Sequence, residues 1–265
     1  MPDNLFETRQ RINAAAQTRK ITRTMELVAS SRLQRAKQQL AAFAPALRHL
    51  SEAAACLPEA YFTPDPDRPK RRALLVFAGA KGLSGAYSPA LLRFAAEHTK
   101  GAVLFAAGSA AAAEYPDAYL TFGDDAPSPA FAQALFNAAE APYKSGEVSE
   151  VWLVYTEGYT PVIKRLLPLP APESPHAAGQ LILEPSPKAL YSTLFAFYTR
   201  ALLYEAHLQA YTAEQVARVS AMDHATRNAE DIINELQAEY NRIRQASITQ
   251  EIIMVSGAAK AIGED

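Results

Sequence analysis

A glycine-rich turn, GAKGLSGAYS at residues 79–88, is where the sequence comes nearest to recognisable chemistry. It follows a predicted strand and precedes a predicted helix, which is where nucleotide-binding folds place a phosphate-binding loop. The turn matches neither G-x-x-x-x-G-K-[ST] nor G-x-G-x-x-G, so the pattern favours a tight strand-to-helix connection. Lys81 leaves anion binding open as an alternative.

Ser84 lies in G-L-S-G-A, which satisfies the letters of a nucleophile elbow. With Asp125 and His176 downstream, the chain order of a Ser–Asp–His hydrolase is formally present. Because a turn rich in Gly and Ser matches this pattern easily by chance, we interpret Ser84 as a turn residue. Cys56, the single cysteine, excludes an internal disulfide and is interpreted as a packed small side chain.

Metal, cofactor and nucleic-acid chemistry find little support in the composition. The five histidines are scattered, with no H-x-x-x-H pair, so no metal site and no cofactor are predicted. A net charge of -2 gives no general attraction for nucleic acid. We find no apolar run of the roughly 20 residues that a membrane span requires, and no signal-peptide core in MPDNLFETRQ.

Two long segments without Gly or Pro must form the framework that positions any functional residues. Residues 188–256 are about seventy residues rich in helix formers, and they predict a helix on the order of 100 Å long. So long a helix protrudes from a domain of this size and needs an apolar partner. Residues 3–44 predict a second helix, which Pro45 should kink or break.

Both segments carry apolar residues at steps of three and four, the spacing of a coiled coil. The C-terminal stripe consists of Met222, Ala225, Ala229, Ile232, Leu236, Tyr240 and Ile243. The N-terminal stripe consists of Ala29, Leu33, Ala36, Leu40, Phe43, Leu47 and Leu50. The two ends of the chain are therefore predicted to form an antiparallel coiled coil. The first half of the N-terminal helix is basic, either as a solvated face or as a surface for an acidic partner.

Short apolar runs alternate with helices between these two segments. The predicted strands are 73–78, 102–107, 118–122, 150–155 and 161–167, with 180–184 a sixth or an edge; the predicted helices are 89–100 and 128–141. The predicted fold class is α/β plus a long antiparallel two-helix coiled coil, with a small, mostly parallel, Rossmann-like sheet inserted between the helices. The predicted domains are residues 1–60, 61–187 and 188–265.

The end of the last helix is apolar all round. Its apolar residues are Ile248, Ile252, Ile253, Met254 and Val255. A helix with apolar residues around its whole circumference is buried on all sides. Since this end should extend beyond the α/β unit, we expect another protein to surround it.

Two motifs at opposite ends of the chain resemble one known family. RINAAAQTRKITRTMELVASSRLQRAKQ is similar to the opening helix of the gamma subunit of F-type ATP synthases, and ARVSAMDHATRNAEDIINELQAEYNRIRQASITQEIIMVSGAA to its closing helix. The strand and turn VFAGAKGLSGAY also resemble that family's first strand and loop. The loop departs from the family pattern at Ala80, Ser84 and Ala86, so no loop contact is carried over.

The resemblance implies a non-catalytic rotor. Its partners would be a ring of alpha and beta subunits around the coiled coil, the epsilon subunit and a membrane ring of c subunits. The subunit would couple ion-driven rotation to ATP synthesis or hydrolysis, and would lie peripherally on the cytoplasmic face of a bacterial membrane. The family's contact positions fall on Met25, Arg218, Gln245, Thr249 and Glu251, with the Arg218 charge suited to an acidic beta-subunit loop.

Two alternatives remain from the residues alone. One is a nucleotide-binding α/β enzyme with a helical dimerisation arm, which would bind ATP, ADP or NAD. The other is a coiled-coil adaptor, which would form a stable homodimer, whereas an intramolecular coiled coil predicts a monomer.

Overall fold

The chain folds into two compact units. The first consists of Met1–Val28 with Val219–Asp265 and is called the coiled-coil unit; the second, Ala29–Arg218, is called the sheet unit. The computed structural model describes residues 2–63, 70–79, 82–123, 126–170 and 184–262. The domain limits predicted at residues 60 and 187 were placed where the type of secondary structure changes, whereas the two units are defined by compactness. Those limits therefore stay a prediction.

Helix α1 spans Pro2–Ala55 and continues through Pro45. The predicted N-terminal helix is confirmed. Of the two effects predicted for Pro45, the break is wrong, and the kink stays a prediction. Proline removes one N–H from the helical ladder. The residues after it are nevertheless held by packing, since Leu47 and Leu50 join Ala54 in an apolar cluster of the sheet unit. Burial of these side chains offsets the lost hydrogen bond.

Helix α5 spans Pro187–Ile262 and confirms the predicted C-terminal helix. Ser186 caps it, because its Oγ accepts a hydrogen bond of 3.3 Å from the backbone N–H of Ala189. Pro187 takes the first helical position, where the missing N–H has no intrahelical partner to lose. The proline-rich stretch before the helix therefore ends in an ordinary helix start.

In the coiled-coil unit, α1 and α5 lie side by side and run antiparallel. The hydroxyl oxygens of Thr22 and Thr226 are hydrogen-bonded at 2.8 Å within the buried seam. Arg19 and Glu230 approach to 4.0 Å on its surface. Residue numbers thus rise along one helix as they fall along the other, which confirms the coiled coil between the two chain ends.

The buried stripe of α5 differs from the predicted one at two positions. Thr226 and Ile233 are buried where Ala225 and Ile232 were expected, and Ile232 is 48% exposed. At the first position the prediction considered apolar residues only, whereas a hydroxyl that is hydrogen-bonded inside the seam can be buried there. At the second position two isoleucines are adjacent, and both fit steps of three and four, so the spacing does not decide between them. The other buried members of the predicted stripe are Met222, Ala229 and Leu236.

In the sheet unit, α1 continues along α5 on the predicted stripe. Ala29 and Ala36 are buried, and the larger residues of the stripe are half-buried. Phe43 packs edge-on against Tyr204 of α5, with ring centroids 4.9 Å apart. The N-terminal stripe is confirmed.

Five strands form one mixed sheet in the order β3-β2-β1-β4-β5. The strands are β1 Arg72–Phe77, β2 Val103–Ala107, β3 Leu120–Phe122, β4 Glu150–Glu157 and β5 Thr160–Leu167. All neighbours pair in parallel except β4 and β5, which form an antiparallel hairpin. The small, mostly parallel sheet is confirmed. The possible strand at 180–184 lies, except for Glu184, outside the described residues.

Three shorter helices flank the sheet: α2 Tyr87–Ala96, α3 Ser109–Glu114 and α4 Pro129–Lys144. Helix α4 begins as predicted, because the Ser128 hydroxyl accepts a 3.2 Å hydrogen bond from the N–H of Phe131. Helix α3 was not predicted. Its six residues, SAAAAE, are too few for a helical period to show in the sequence.

Apolar clusters cover both faces of the sheet. On one face, strand residues such as Leu75 and Phe105 pack with Leu203 of α5 and with α4. On the other face, Leu74 and Val76 pack with α2 and α3. A central parallel strand is buried on both sides, which explains the unbroken apolar run of β1.

Candidate partner-binding surfaces

The five residues expected to contact partners do not all lie in one unit. Met25, Gln245, Thr249 and Glu251 belong to the coiled-coil unit, whereas Arg218 is the last residue of the sheet unit. The first four are exposed, and Arg218 is only 7% exposed. The predicted set therefore divides into an exposed group and one buried cation.

Met25 belongs to an exposed apolar stripe on α1. Ile21, Met25 and Val28 follow one another at steps of four and three, so they share one flank of the helix. All three are exposed, although they are large apolar residues. Contiguous apolar surface of this kind is typical of protein–protein contact sites.

A charged groove lies between α1 and α5 of the coiled-coil unit. It measures about 630 Å³, and four of its lining side chains are basic while two are acidic. Arg227 and Asp223 pair at 2.8 Å on its wall. Arg19 approaches Glu230 to 4.0 Å and Arg23 pairs with Glu26 at 2.9 Å, so only a small excess of positive charge is left for an acidic partner. Exposed ion pairs of this kind contribute little to stability. The basic residues are Arg19, Lys20, Arg23 and Arg227, and the acidic ones Asp223 and Glu230.

Gln245 and Thr249 point away from the seam. They are four residues apart on α5, and both lie about half a turn round the helix from Tyr240 and Ile243, which continue the buried stripe. The Thr249 hydroxyl donates to the carbonyl oxygen of Gln245 at 2.9 Å. The hydroxyl oxygen of Thr249 can still accept a hydrogen bond from a partner. These polar groups can therefore bind a partner without disturbing the coiled coil.

The apolar end of α5 is exposed, as the sequence indicated. Its apolar side chains are between 44% and 70% exposed: Ile248, Ile252, Ile253, Met254 and Val255. Exposed apolar residues on several faces of one helix are stable in a complex that covers them. That other subunits surround this end stays a proposal.

Arg218 is a buried residue of α5 in the sheet unit, where it contacts the glycine-rich turn. Its guanidinium pairs with the carboxylate of Glu214, one helical turn earlier on α5. Its Nε also donates to the carbonyl oxygen of Gly82 at 3.4 Å. The sequence offered the spacing Glu-x-x-x-Arg as a signal for this pair, but it gave no sign that the turn lies against it.

A small cavity adjoins the described part of the glycine-rich turn. A cavity of about 20 Å³ lies beside it, lined by Phe77, Gly108, His207 and Glu214 among others. That is room for about one water molecule, far less than the roughly 300 Å³ of a small-ligand pocket. This cavity is too small for a nucleotide. Lys81, which kept anion binding open, lies outside the described residues.

The hydrolase arrangement cannot be assembled from the described part of the chain. Ser84 is buried, and both Asp125 and His176 lie outside the described residues. Cys56 is half-buried, and its thiol lies 3.5 Å from the carbonyl oxygen of Glu52. Cys56 also lines an apolar groove, which agrees with its interpretation as a packed side chain.

His207 is packed between two aromatic rings. The ring centroids of Phe77 and Phe131 lie 5.4 and 4.7 Å from that of His207. Burial lowers the pKa of His207 to about 4, because the charged imidazolium is poorly solvated there. Among the residues that the structure describes, no group of three or more His, Cys, Asp or Glu side chains could hold a metal ion.

Acid should destabilise the sheet unit through His207. The unfolded chain takes up the proton near pH 6.5, whereas the folded chain takes it up only near pH 4. The stabilisation is complete above about pH 6.5 and falls as the pH drops, by about 2 kcal/mol between pH 7.5 and 5. Urea unfolding at both pH values should show this loss, and His207→Phe should remove most of it. If the stability of His207→Phe depends on pH as strongly as that of the unmodified chain, His207 is not the cause of the loss.

None of the described helices is long and apolar enough to cross a membrane.

The chain resembles known proteins over nearly its whole length. Residues 4–262 match the family described as ATP synthase. The ATP synthase gamma chain of Moorella thermoacetica is 31% identical, covering 98% of this chain and 99% of that one. The ATP synthase gamma chain of Parafrankia sp. is 35% identical, covering 99% of both.

Solved structures share the fold at lower identity. A chain of the Euglena gracilis mitochondrial ATP synthase, in its OSCP/F1/c-ring structure, superposes with a TM-score of 0.71 at 15% identity, covering 99% of this chain and 95% of that one. A chain of the same organism's rotor structure gives a TM-score of 0.68 at 14% identity, covering 94% and 100%. At such identities the likeness concerns the fold alone.

Proposed function

Because this chain belongs to the ATP synthase gamma-chain family, we propose that it acts as the central rotor stalk of a membrane ATP synthase. In this role it couples ion-driven rotation to the synthesis or hydrolysis of ATP. The observation that carries the proposal is the exposed apolar end of α5 in the coiled-coil unit, with residues 44–70% exposed. Such an end requires surrounding subunits, which a ring around a shaft supplies.

The partners that we propose are the ring of alpha and beta subunits, the epsilon subunit and the membrane ring of c subunits. The ring would surround the coiled-coil unit and contact Met25, Gln245, Thr249 and Glu251. Exposed, mostly uncharged contacts suit a rotor, because deep hot spots would hold the shaft in one orientation. We also propose that the chain lies peripherally on the cytoplasmic face of a bacterial membrane.

Arg218 is part of the same proposal, with one difference. Its guanidinium already pairs with Glu214 within the chain. An acidic loop of the beta subunit would therefore bind beside an existing ion pair rather than to a solvated cation. We expect this contact to be weaker than the charge of Arg218 alone suggests.

We also propose that the chain carries no active site of its own. The one-water cavity beside the glycine-rich turn supports this, since no substrate of ordinary size fits it. Titration calorimetry of the isolated chain with ATP, ADP and NAD should give no binding heat. Specific binding of any of them would favour the nucleotide-binding enzyme instead.

Reconstitution tests the proposed function directly. The chain should co-purify with alpha and beta subunits and restore coupled ATPase activity to them. Sedimentation of the isolated chain should show a monomer, since its coiled coil forms between its own two ends. Failure to co-purify, or a stable homodimer, would count against a rotor and in favour of an adaptor.

A further inference from the structure

One stripe of α5 holds the glycine-rich turn in the sheet unit. Three residues at intervals of four share this face: Ala210, Glu214 and Arg218. The Tyr87 hydroxyl donates to the carbonyl oxygen of Ala210 at 2.9 Å. Arg218 Nε donates to the carbonyl oxygen of Gly82 at 3.4 Å. Gly79 also neighbours Glu214, since a Cβ at this glycine would be in ordinary contact with Oε1 of Glu214 at 3.4 Å.

The charged members of this stripe are buried. The side chains of Glu214 and Arg218 are 5% and 9% exposed and pair with each other. A buried ion pair adds little stability compared with apolar residues of similar size, but the loss of one partner leaves a buried charge. Burial also raises the pKa of Tyr87, and the Glu214 carboxylate raises it further. The phenol therefore stays protonated and keeps donating to α5.

The turn held by this stripe has an unfavourable backbone conformation. Leu83 has a φ of 67°, a region that residues with a Cβ rarely adopt. Its side chain is exposed, whereas its neighbour Ser84 is buried. Such a conformation persists only where the surroundings hold it. The contacts with α5 supply that restraint, and Leu83 is a large apolar side chain that the turn presents to solvent.

We propose that Glu214 and Arg218 are positioning residues that lock residues 82–88 of the glycine-rich turn onto α5. The pair fixes the Gly82 carbonyl against the helix, so the turn cannot move without α5. Leu83 is thereby presented at a fixed place on the helix surface. The mechanical consequence, that turn and helix rotate as one body, rests on the proposed rotor function, whereas the docking itself does not.

Hydrogen exchange on the full-length chain tests the docking. Arg218→Met removes both the ion pair and the donor to Gly82. We expect amide exchange in residues 82–90 to accelerate at least tenfold, while exchange in β4 changes less than twofold. Glu214→Gln combined with Arg218→Met leaves no buried charge, so it should show the same local loosening even if the single variant folds poorly. Arg218→Lys retains the charge and a donor, and should stay within threefold of the unmodified chain.

The matched control is Arg227→Met, which removes an arginine from an exposed ion pair at the same spacing on α5. It should leave exchange in residues 82–90 unchanged. Unchanged exchange in the Arg218 variants would overturn the proposal. Equal acceleration in β4 would also overturn it, because it would show that Arg218 stabilises the whole unit rather than the turn. Reconstitution of the unmodified chain is a separate readout: its failure would overturn the rotor function and leave the docking result standing.

Discussion

Replacing Gly108 by alanine is expected to destabilise the sheet unit by more than about 4 kcal/mol, a large fraction of the roughly 5–15 kcal/mol that stabilises a typical domain. Gly108 precedes α3 with a φ of 96°, where residues with a Cβ are strained. A Cβ there would lie 2.1 Å from the carbonyl oxygen of Ala78 and 3.1 Å from its carbon. These are backbone atoms at the end of β1, and the N–H of Ala78 is itself bonded to Ala107 at 3.0 Å.

Gly101 provides the matched control for this substitution. Its φ is 75°, and a Cβ there would meet no atom within 4 Å. Gly101→Ala should therefore cost only the conformational strain, about 1–2 kcal/mol. Urea unfolding followed by circular dichroism measures both variants. If Gly108→Ala proves no more destabilising than Gly101→Ala, then the close approach of β1 and α3 is not a fixed feature of the fold.

The strands and long helices could be predicted because their signals are local. The apolar run of β1 and the Ser-Pro start of α4 are readable within a few residues. The heptad stripe of α1 is equally local, and the structure confirms it from Ala29 onward. Each of these signals reflects burial or capping that neighbouring residues decide.

Long-range polar contacts could not be predicted in this way. The hydrogen bond between Thr22 and Thr226 joins residues 204 positions apart, and Thr226 is buried where Ala225 was predicted. Gly82 and Arg218 are 136 positions apart. No periodicity links such residues, because their pairing is decided by how whole elements pack.

Arg218 illustrates the limit of reasoning from a motif. Its position in the motif suggested a cation offered to a partner, and nothing in the local sequence indicated burial. In the structure the same residue is nearly enclosed and paired with Glu214. The motif fixes the residue type at this position, while its surroundings depend on a turn from a distant part of the chain. Partner contact and turn docking are therefore separate hypotheses, each with its own test.

The exposed polar residues at the end of α5 should matter only in the complex. Changing Gln245, Thr249 and Glu251 together to alanine leaves a good helix former at every position. The isolated chain should therefore keep its helicity. In the complex, two neutral hydrogen bonds and one charged one would be lost, together about 3–4 kcal/mol if all three form. We expect coupled ATPase activity of the reconstituted complex to fall at least tenfold.

Three control substitutions on the same helix distinguish the loss of these contacts from a general loss of polar surface. Asn234, Glu235 and Gln237 are likewise exposed, and they have the same side-chain chemistry apart from the hydroxyl. Their replacement by alanine should lower coupled activity less than threefold. If both triples reduce activity equally, the contact positions are not specific. If neither does, the end of α5 turns within the ring without these hydrogen bonds, and the apolar side chains from Ile248 to Val255 carry the contact instead.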